Sequence, residues 1–442
     1  MNSQFLEIDV AVVTINDAFT SIQYSLDLMN DRRTLNKFAM NGYRIAAIAV
    51  LTTCALLLAS VTTVTAEDGV GADTIVFGQA AVLDGPASAL GLGMRFGILA
   101  AFDEVNRKRG VHGRKLELVS LDDGYDPDRS IVQTKKLIDE DKVFALIGAV
   151  GTPTTTVTVP IARAAKVPFI GPFTGAEFLR DPTLENVINL RAGYDAEAEA
   201  WVKHLTEDLN IKNIAIFYQD DSFGRAGLDG VKKALAKREM ELVSEGTFGR
   251  NTVAVKMALL ALKRAEPEAI VMVGPYKPCA EFIRLARKSN FNPVFVNISF
   301  VGANAFAKEL GPDGEGVIVT QVVPFPWDRS LKTVVEYQTA IKALDPNADA
   351  DFVSLEGYLA GSLAIELLKK VGPSPTRNAM IQVIREGGRF DLGGLTVTFG
   401  PHKNEGLGQV FLTVIQRDGS LKAVEKLGRR ARFPFGSTVL IK

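Results

Sequence analysis

The sequence predicts an α/β protein made of two successive units, each a parallel sheet with helices on both faces. Three observations carry this. From Ala66 onward, short apolar runs alternate with longer segments of helical spacing, the rhythm of parallel strands joined by crossover helices. The rhythm occurs twice in succession before it breaks near Pro324-Phe325-Pro326. Finally, 442 residues with 47% hydrophobic composition suffice for two domains with separate cores.

In the first unit the apolar runs place strands over 74–81, 115–121, 143–147 and 167–170. Helices are predicted over 92–108, with Phe96, Leu99, Ala100 and Phe102 toward one side, and over 130–140. The second unit repeats the pattern with strands over 213–217, 242–247, 269–273 and 294–297 and helices over 227–237 and 253–263. Past the break, a long helix over 353–371 leads to an extended stretch at 393–398 and a last strand over 409–416. Residues 428–442, with Arg429, Arg430 and Arg432, read as a solvated basic tail.

Ahead of these units, residues 40–66 read as a secretory signal: a basic start at Arg44, an uncharged run from Ile45, and Val64-Thr65-Ala66 as a small-residue cleavage site. Residues 1–39 read as an extension before a start at Met40. Removal of residues 1–66 takes away four basic and five acidic residues and leaves 46 of each. The exported part is therefore electrically balanced, which disfavours nucleic acid and anionic membranes as partners. The run through Val64 also reaches the roughly 20 residues that span a bilayer, so an uncleaved anchor is the alternative. Cys54 follows Leu51-Thr52-Thr53, a poor lipoprotein site because Thr53 is bulky, and Arg32-Arg33 is a weak twin-arginine feature. With Cys279 the only other cysteine, no disulfide forms within the exported part and Cys279 is expected as a buried free thiol.

Several motifs point away from enzymes. Gly91, Gly93 and Gly97 look like a dinucleotide fingerprint, but eight residues, VLDGPASA, precede Leu90 after the strand, so the glycines lie on the helix and serve its close packing on the sheet. His112, His204 and His402 sit in no H-E-x-x-H motif, and there is no G-x-S-x-G and no paired-cysteine spacing. Asp122-Asp123 and Asp220-Asp221 follow strands and read as caps rather than metal ligands. No cofactor is implied.

The stretch GAVGTPTTTVTVP, residues 148–160, is different. Thr152 is placed as N-cap and Pro153 as the first helical residue, leaving the amides of Thr154 and Thr155 without helical partners. Free amides, the helix dipole and threonine hydroxyls together suit a carboxylate, and Pro160 should kink or end the helix. The alternative is a threonine cap and nothing more. Against it stands VPFIGPFTGAEF, in which a second strand ends and delivers Phe173, Thr174 and Gly175 to the same edge of the sheet, the edge where open α/β sheets bind ligands.

From about Asp73 to Gln416 the chain resembles the type I periplasmic binding proteins of the leucine/isoleucine/valine-binding family. The motifs that carry the likeness are VLDGPASALG, AFDEVNRKRGVHGRKLELVSLDDGYDP, GAVGTPTTT, VPFIGPFTGA, IAIFYQDDSFGRAGLDGV and VGPYKPCAEFIRLARK. The resemblance implies two Rossmann-like lobes joined by three hinge crossings, residues 67–192 with 325–408 forming lobe 1 and 193–324 with 409–427 forming lobe 2. A small ligand would lie between them. Position by position, it puts Thr152 in the place of the family's carboxylate-binding serine. Phe173, Thr174 and Gly175 fall where backbone and hydroxyl contacts reach the same ligand end, and Phe223, Tyr276 and Tyr194 match aromatic contacts.

Two departures stand out. Where amino-acid binders of the family carry an acid after the strand at 294–297, this chain has Ser299. A buried ammonium without an acid is costly, so either another acid such as Glu356 reaches the cleft or the ligand is an aliphatic or aromatic acid walled by Phe173, Phe223 and Tyr276. The family's first-lobe disulfide is also missing, its places being taken by Tyr125 and Gly151. The expectation is a periplasmic, non-enzymatic solute-binding component that passes an amino acid or related carboxylate to the permease subunits of an ABC-type uptake system. A membrane-tethered sensor module of the same fold is the rival.

Overall fold

A computed structural model describes residue 23, residues 67–428 and the backbone of 429 and 439–441. Apart from residue 23, the expected extension, the expected export signal and most of the basic tail lie outside the described residues.

The first sheet is built from β1 (Thr74–Ala81), β2 (Lys115–Asp122), β3 (Ala145–Ile147), β4 (Phe169–Ile170) and β5 (Val187–Ile188) in the order β2-β1-β3-β4-β5, all parallel. Between them run α1 (Ser88–Arg107), α2 (Pro127–Asp139) and α3 (Thr152–Ala164). Strands β3, β4 and β5 are apolar and buried throughout, as expected where helices cover both faces of a parallel sheet.

The chain then crosses to the second lobe through α4 (Tyr194–Lys203) and lays down β6 (Ile214–Gln219), α5 (Ser222–Ala236), β7 (Ser244–Phe248), α6 (Lys256–Arg264), β8 (Ala269–Val273), α7 (Tyr276–Lys288), β9 (Val294–Asn297), α8 (Ala303–Leu310) and β10 (Ile318–Gln321). After β10 it returns to the first lobe as α9 (Lys332–Leu344), α10 (Phe352–Val371), α11 (Arg377–Arg385) and the hairpin β11 (Gly388–Asp391) with β12 (Thr396–Phe399). A third crossing brings β13 (Phe411–Ile415) and β14 (Leu421–Val424) to the second sheet, whose order is β14-β13-β10-β9-β8-β6-β7. Three crossings thus connect the two sheets.

The structure corrects the sequence-based expectation in four places. The second sheet is not purely parallel: β13 and β14 pair antiparallel at its edge, because a strand arriving by the third crossing enters beside β10 from the opposite end. The start of the tail is not simply solvated, since β15 (Leu427–Arg429) pairs with β16 (Val439–Ile441). Of the three α1 glycines, only Gly91 meets the sheet side. A Cβ there would come 1.9 Å from the Val82 carbonyl, whereas one at Gly97 would come 1.9 Å from the Ser354 carbonyl and one at Gly93 2.9 Å from Val353. Gly97 lets α1 and α10 touch backbone to backbone. Finally, α3 continues through Pro160 to Ala164; Pro160 and Thr156 face solvent, so the carbonyl that proline cannot serve is free to turn to water.

Cys279 is buried, and burial pushes its thiol well above the usual range.

Candidate functional site

The carboxyl ends of β3 and β4 each lead into a glycine turn. Gly148 and Gly151 after β3 and Gly171 after β4 all adopt positive φ, where a Cβ is disfavoured. At Gly151 it would also lie 2.3 Å from the Tyr125 ring, so the two positions where the family carries its disulfide are in contact here without one. The two loops are fastened together: the Phe173 amide donates to Ala149 O at 2.7 Å and the Gly151 amide to Phe173 O at 3.2 Å.

This fastening sets the phase of the threonines, one residue later than the sequence suggested. Gly151, not Thr152, is the N-cap; Thr152 is the first helical residue and Pro153 the second. The Thr155 amide donates to Gly151 O at 3.1 Å, so the amides at the open end of α3 are those of Thr152 and Thr154. The hydroxyls divide accordingly. Thr154 donates back to Val150 O and Gly151 O at 2.5 and 2.9 Å, and Thr155 to Gly151 O at 2.8 Å. Thr152 turns sideways instead, its hydroxyl 2.7 Å from that of Thr174.

Thr174 in turn donates to the Tyr194 hydroxyl at 3.2 Å. Tyr194 is seated by its own amide, which donates to Gly175 O at 2.6 Å, and Gly175 must lack a side chain because a Cβ would come 2.4 Å from the Tyr194 ring. Burial raises the Tyr194 phenol against the pull of Arg191, so it stays a neutral hydroxyl. From the second lobe, Asp221 caps α5 by accepting the Phe223 amide at 2.9 Å, which delivers the Phe223 ring to 5.6 Å from Tyr194. Thr152, Phe173, Thr174, Gly175, Tyr194 and Phe223 thus form one cluster. Tyr276, the first residue of α7, makes a different interlobe contact, its hydroxyl accepting the Ala89 amide at 3.4 Å.

Phe300, Arg191, Glu197 and Thr320 were not read from sequence. Phe300 follows β9, and its ring lies 4.5 Å from Phe223, 5.2 Å from Phe173 and 6.1 Å from Tyr125. The rule that found Phe173, an aromatic just past a strand end, also applies to Phe300. Arg191 and Glu197 carried no such signal. Arg191 is fully buried with its guanidinium carbon 4.8 Å from the Phe173 ring centre. It donates to the Ser299 hydroxyl and pairs with Glu197 at 3.5 Å and Glu356 at 3.7 Å. Burial pulls this guanidinium down, but Glu356 and Glu197 more than offset it and hold it above its ordinary value.

Ser299 belongs to this buried cluster. Its amide and hydroxyl both donate to Glu197, each at 2.8 Å, and Thr320 donates to Glu197 as well. Glu197 is thereby saturated with hydrogen bonds. Glu356, from the first-lobe helix α10, is buried too, and burial pushes its carboxyl up to about 7, opposed by Arg191, reinforced by Glu197 and opposed again by Arg180. Among the described residues no three His, Cys, Asp or Glu side chains converge as a metal site would require, and no helix is long and apolar enough to cross a membrane. The adjacent acids act locally: Asp122 accepts the Leu83 amide at 2.8 Å and Asp123 the Tyr125 amide at 2.9 Å.

Comparison with known proteins adds an independent view. The family "Periplasmic binding protein" matches residues 74–420. The leucine-, isoleucine-, valine-, threonine- and alanine-binding protein of Pseudomonas aeruginosa is 22% identical over 307 residues, 70% of this chain and 81% of the relative. The leucine-specific-binding protein of Salmonella typhimurium is 23% identical over 72% of this chain and 85% of its own length. Among solved structures, a possible leucine/isoleucine/valine-binding protein from Rhodopirellula baltica superposes with a TM-score of 0.75 at 39% identity, covering 82% of this chain and 98% of that one. A fatty acid ABC transporter substrate-binding protein from Thermomonospora curvata shares the fold, with a TM-score of 0.72 at 21% identity over 82% of this chain and 94% of that one.

Proposed function

Since the chain belongs to the periplasmic binding proteins of the leucine/isoleucine/valine-binding family, we propose that it captures an amino acid or related small carboxylate between its lobes and presents it to the permease of an ABC-type uptake system in the periplasm. The observation that carries this reading is the pair of hydroxyls of Thr152 and Thr174 at the open amino end of α3. Two hydroxyls, the amides of Thr152 and Thr154 and the positive end of the helix dipole all favour a negative group there. Of the expected site residues, Thr154 and Thr155 contribute through the backbone and the shape of the turn, since their hydroxyls serve carbonyls behind it.

The rings of Phe173, Phe223, Phe300 and Tyr194 supply an apolar surface drawn from both lobes. A ligand that touches both lobes binds the closed form better than the open one and shifts the population toward it. The closed arrangement also has contacts of its own. The Tyr276 hydroxyl takes the Ala89 amide, Gln219 donates to the Tyr125 hydroxyl at 3.2 Å, and Asn251 donates to Gly124 O at 3.1 Å. The permease then has a distinct shape to recognise, and no chemical step on the ligand is called for.

A thermal-shift screen of the twenty amino acids and their des-amino acids against the protein from Glu67 onward tests this. A true ligand at 100 times its Kd adds about 2.7 kcal/mol of stability. A screen in which no carboxylate moves the melt, while uncharged or cationic solutes do, would overturn the reading.

A further inference from the structure

The cluster around Arg191 is unbalanced in a way that the fold alone does not need. One guanidinium faces two carboxylates, Glu197 and Glu356, and all three side chains are buried. With both acids ionised the group carries one uncompensated negative charge, and the nearest further cation, Arg180, is engaged with Glu405 at 2.7 Å. Buried charge without a partner is strongly disfavoured.

Hydrogen bonding is uneven as well. Glu197 is satisfied by Ser299 and Thr320. No side-chain hydrogen bond joins Glu356 to any described residue; its one ion pair among them is with Arg191 Nη1 at 3.7 Å, beyond hydrogen-bond distance. Nη1 and Nε of Arg191 are themselves buried without a hydrogen-bond partner. A buried side chain, Glu356, held only by this long ion pair, therefore stands beside two Arg191 donors that are buried without a hydrogen-bond partner, although buried polar groups in folded proteins are nearly always paired.

Their place in the fold is the ligand-binding edge. Arg191 lies over the ring of Phe173, the residue before Thr174. Helix α10 packs on the outgoing end of β4, where a Cβ at Gly171 would come 2.8 Å from Ala360, and Glu356 stands one turn earlier on that helix.

We propose that Glu356 receives the amine of the ligand, so that the first lobe holds both charged ends of a zwitterion, the carboxylate at Thr152 and Thr174 and the ammonium at Glu356. This rests on the carboxylate-binding reading above and narrows it to amine-bearing acids. Ser299 is neutral because the space beside it belongs to Glu197, and the acid that meets the ligand comes from the other lobe. The ammonium removes the excess negative charge and satisfies Glu356, while a des-amino acid leaves both as they were.

The test compares each amino acid with its matched des-amino acid, for example L-leucine with 4-methylpentanoate and L-phenylalanine with 3-phenylpropanoate, by calorimetry on wild-type protein and on Glu356→Gln. The expected result is selective binding of the amino acid by wild type, and a loss of roughly 100-fold or more in Glu356→Gln for the amino acid alone, with Glu356→Asp intermediate. Equal binding of both classes by wild type, or unchanged amino-acid affinity in folded Glu356→Gln, overturns the role of Glu356 and leaves the carboxylate reading intact. Absence of binding in both classes overturns both. Should Glu356→Gln fail to fold, wild-type selectivity between matched pairs still decides.

Discussion

The hydroxyl oxygens of Thr152 and Thr174 stand 2.7 Å apart although 22 residues separate them. They meet because β3 and β4 are neighbours and their two glycine turns are bonded to each other through Phe173, Ala149 and Gly151. Replacing Thr152 by valine keeps the shape and removes the hydroxyl. A hydrogen bond to a charged group contributes about 1.5–3 kcal/mol, so calorimetry should show affinity reduced roughly 10- to 100-fold for T152V, with T152S near wild type. A loss in T152S with T152V near wild type would mean that the methyl group, not the hydroxyl, matters.

Phe300 gives the second prediction. Its ring contacts Phe173 and Tyr125 of the first lobe and Phe223 of the second, so it limits the size of what can lie between them. Truncating a buried phenylalanine typically costs about 3–5 kcal/mol. F300A should therefore melt earlier when free, and its ligand preference should move toward bulkier side chains. F300L, which fills part of the volume, should fall between. An unchanged ranking of ligands by size in folded F300A would remove Phe300 from the selectivity surface.

The parts of this site that were legible in the sequence are those where local chemistry fixes position. Thr152, Phe173 and Thr174 could be found because a strand followed by glycine and hydroxyl residues has few places to go. The helix phase was missed by one because Gly151 can take a φ of 105°, which no pattern of threonines announces. Arg191, Glu197, Thr320 and Glu356 converge from α4 and the crossing before it, from β10 and from α10. Neither spacing nor periodicity links such segments; only the hinged path of the chain does. The edge strands β13 and β14 were hidden for the same reason, since an antiparallel return has no local mark that distinguishes it from one more parallel strand.

Titration of Glu356 yields a third prediction. Its carboxyl titrates near 7 when folded, chiefly through burial, against 4.5 as its ordinary value. Between those two pH values the folded protein binds more protons than the unfolded chain, so stability falls as pH rises from about 4.5 through about 7 and levels off above. The difference corresponds to about 3 kcal/mol. Asp123, raised to about 6 mainly by burial, acts in the same direction over a lower window. Urea unfolding of ligand-free protein at pH 5 and pH 8 should show the wild type losing more stability than E356Q. A pH dependence identical in the two proteins would show that Glu356 does not hold its proton in this way.

The interlobe contacts at Ala89–Tyr276 and Gly124–Asn251 yield the last prediction, because they join groups that only closure brings together. Removing them with Y276F and N251A takes stability from the closed form while leaving each sheet and its helices untouched. Each bond contributes on the order of 1 kcal/mol or less, and the one to Ala89 is long at 3.4 Å. The double variant should therefore bind about fivefold to tenfold more weakly, mostly through faster dissociation, because encounter occurs with the open form. Its free-protein melting temperature should stay close to wild type. If the melt drops while affinity holds, the two contacts belong to the folding of the lobes, and closure is driven by the ligand and the aromatic rings alone.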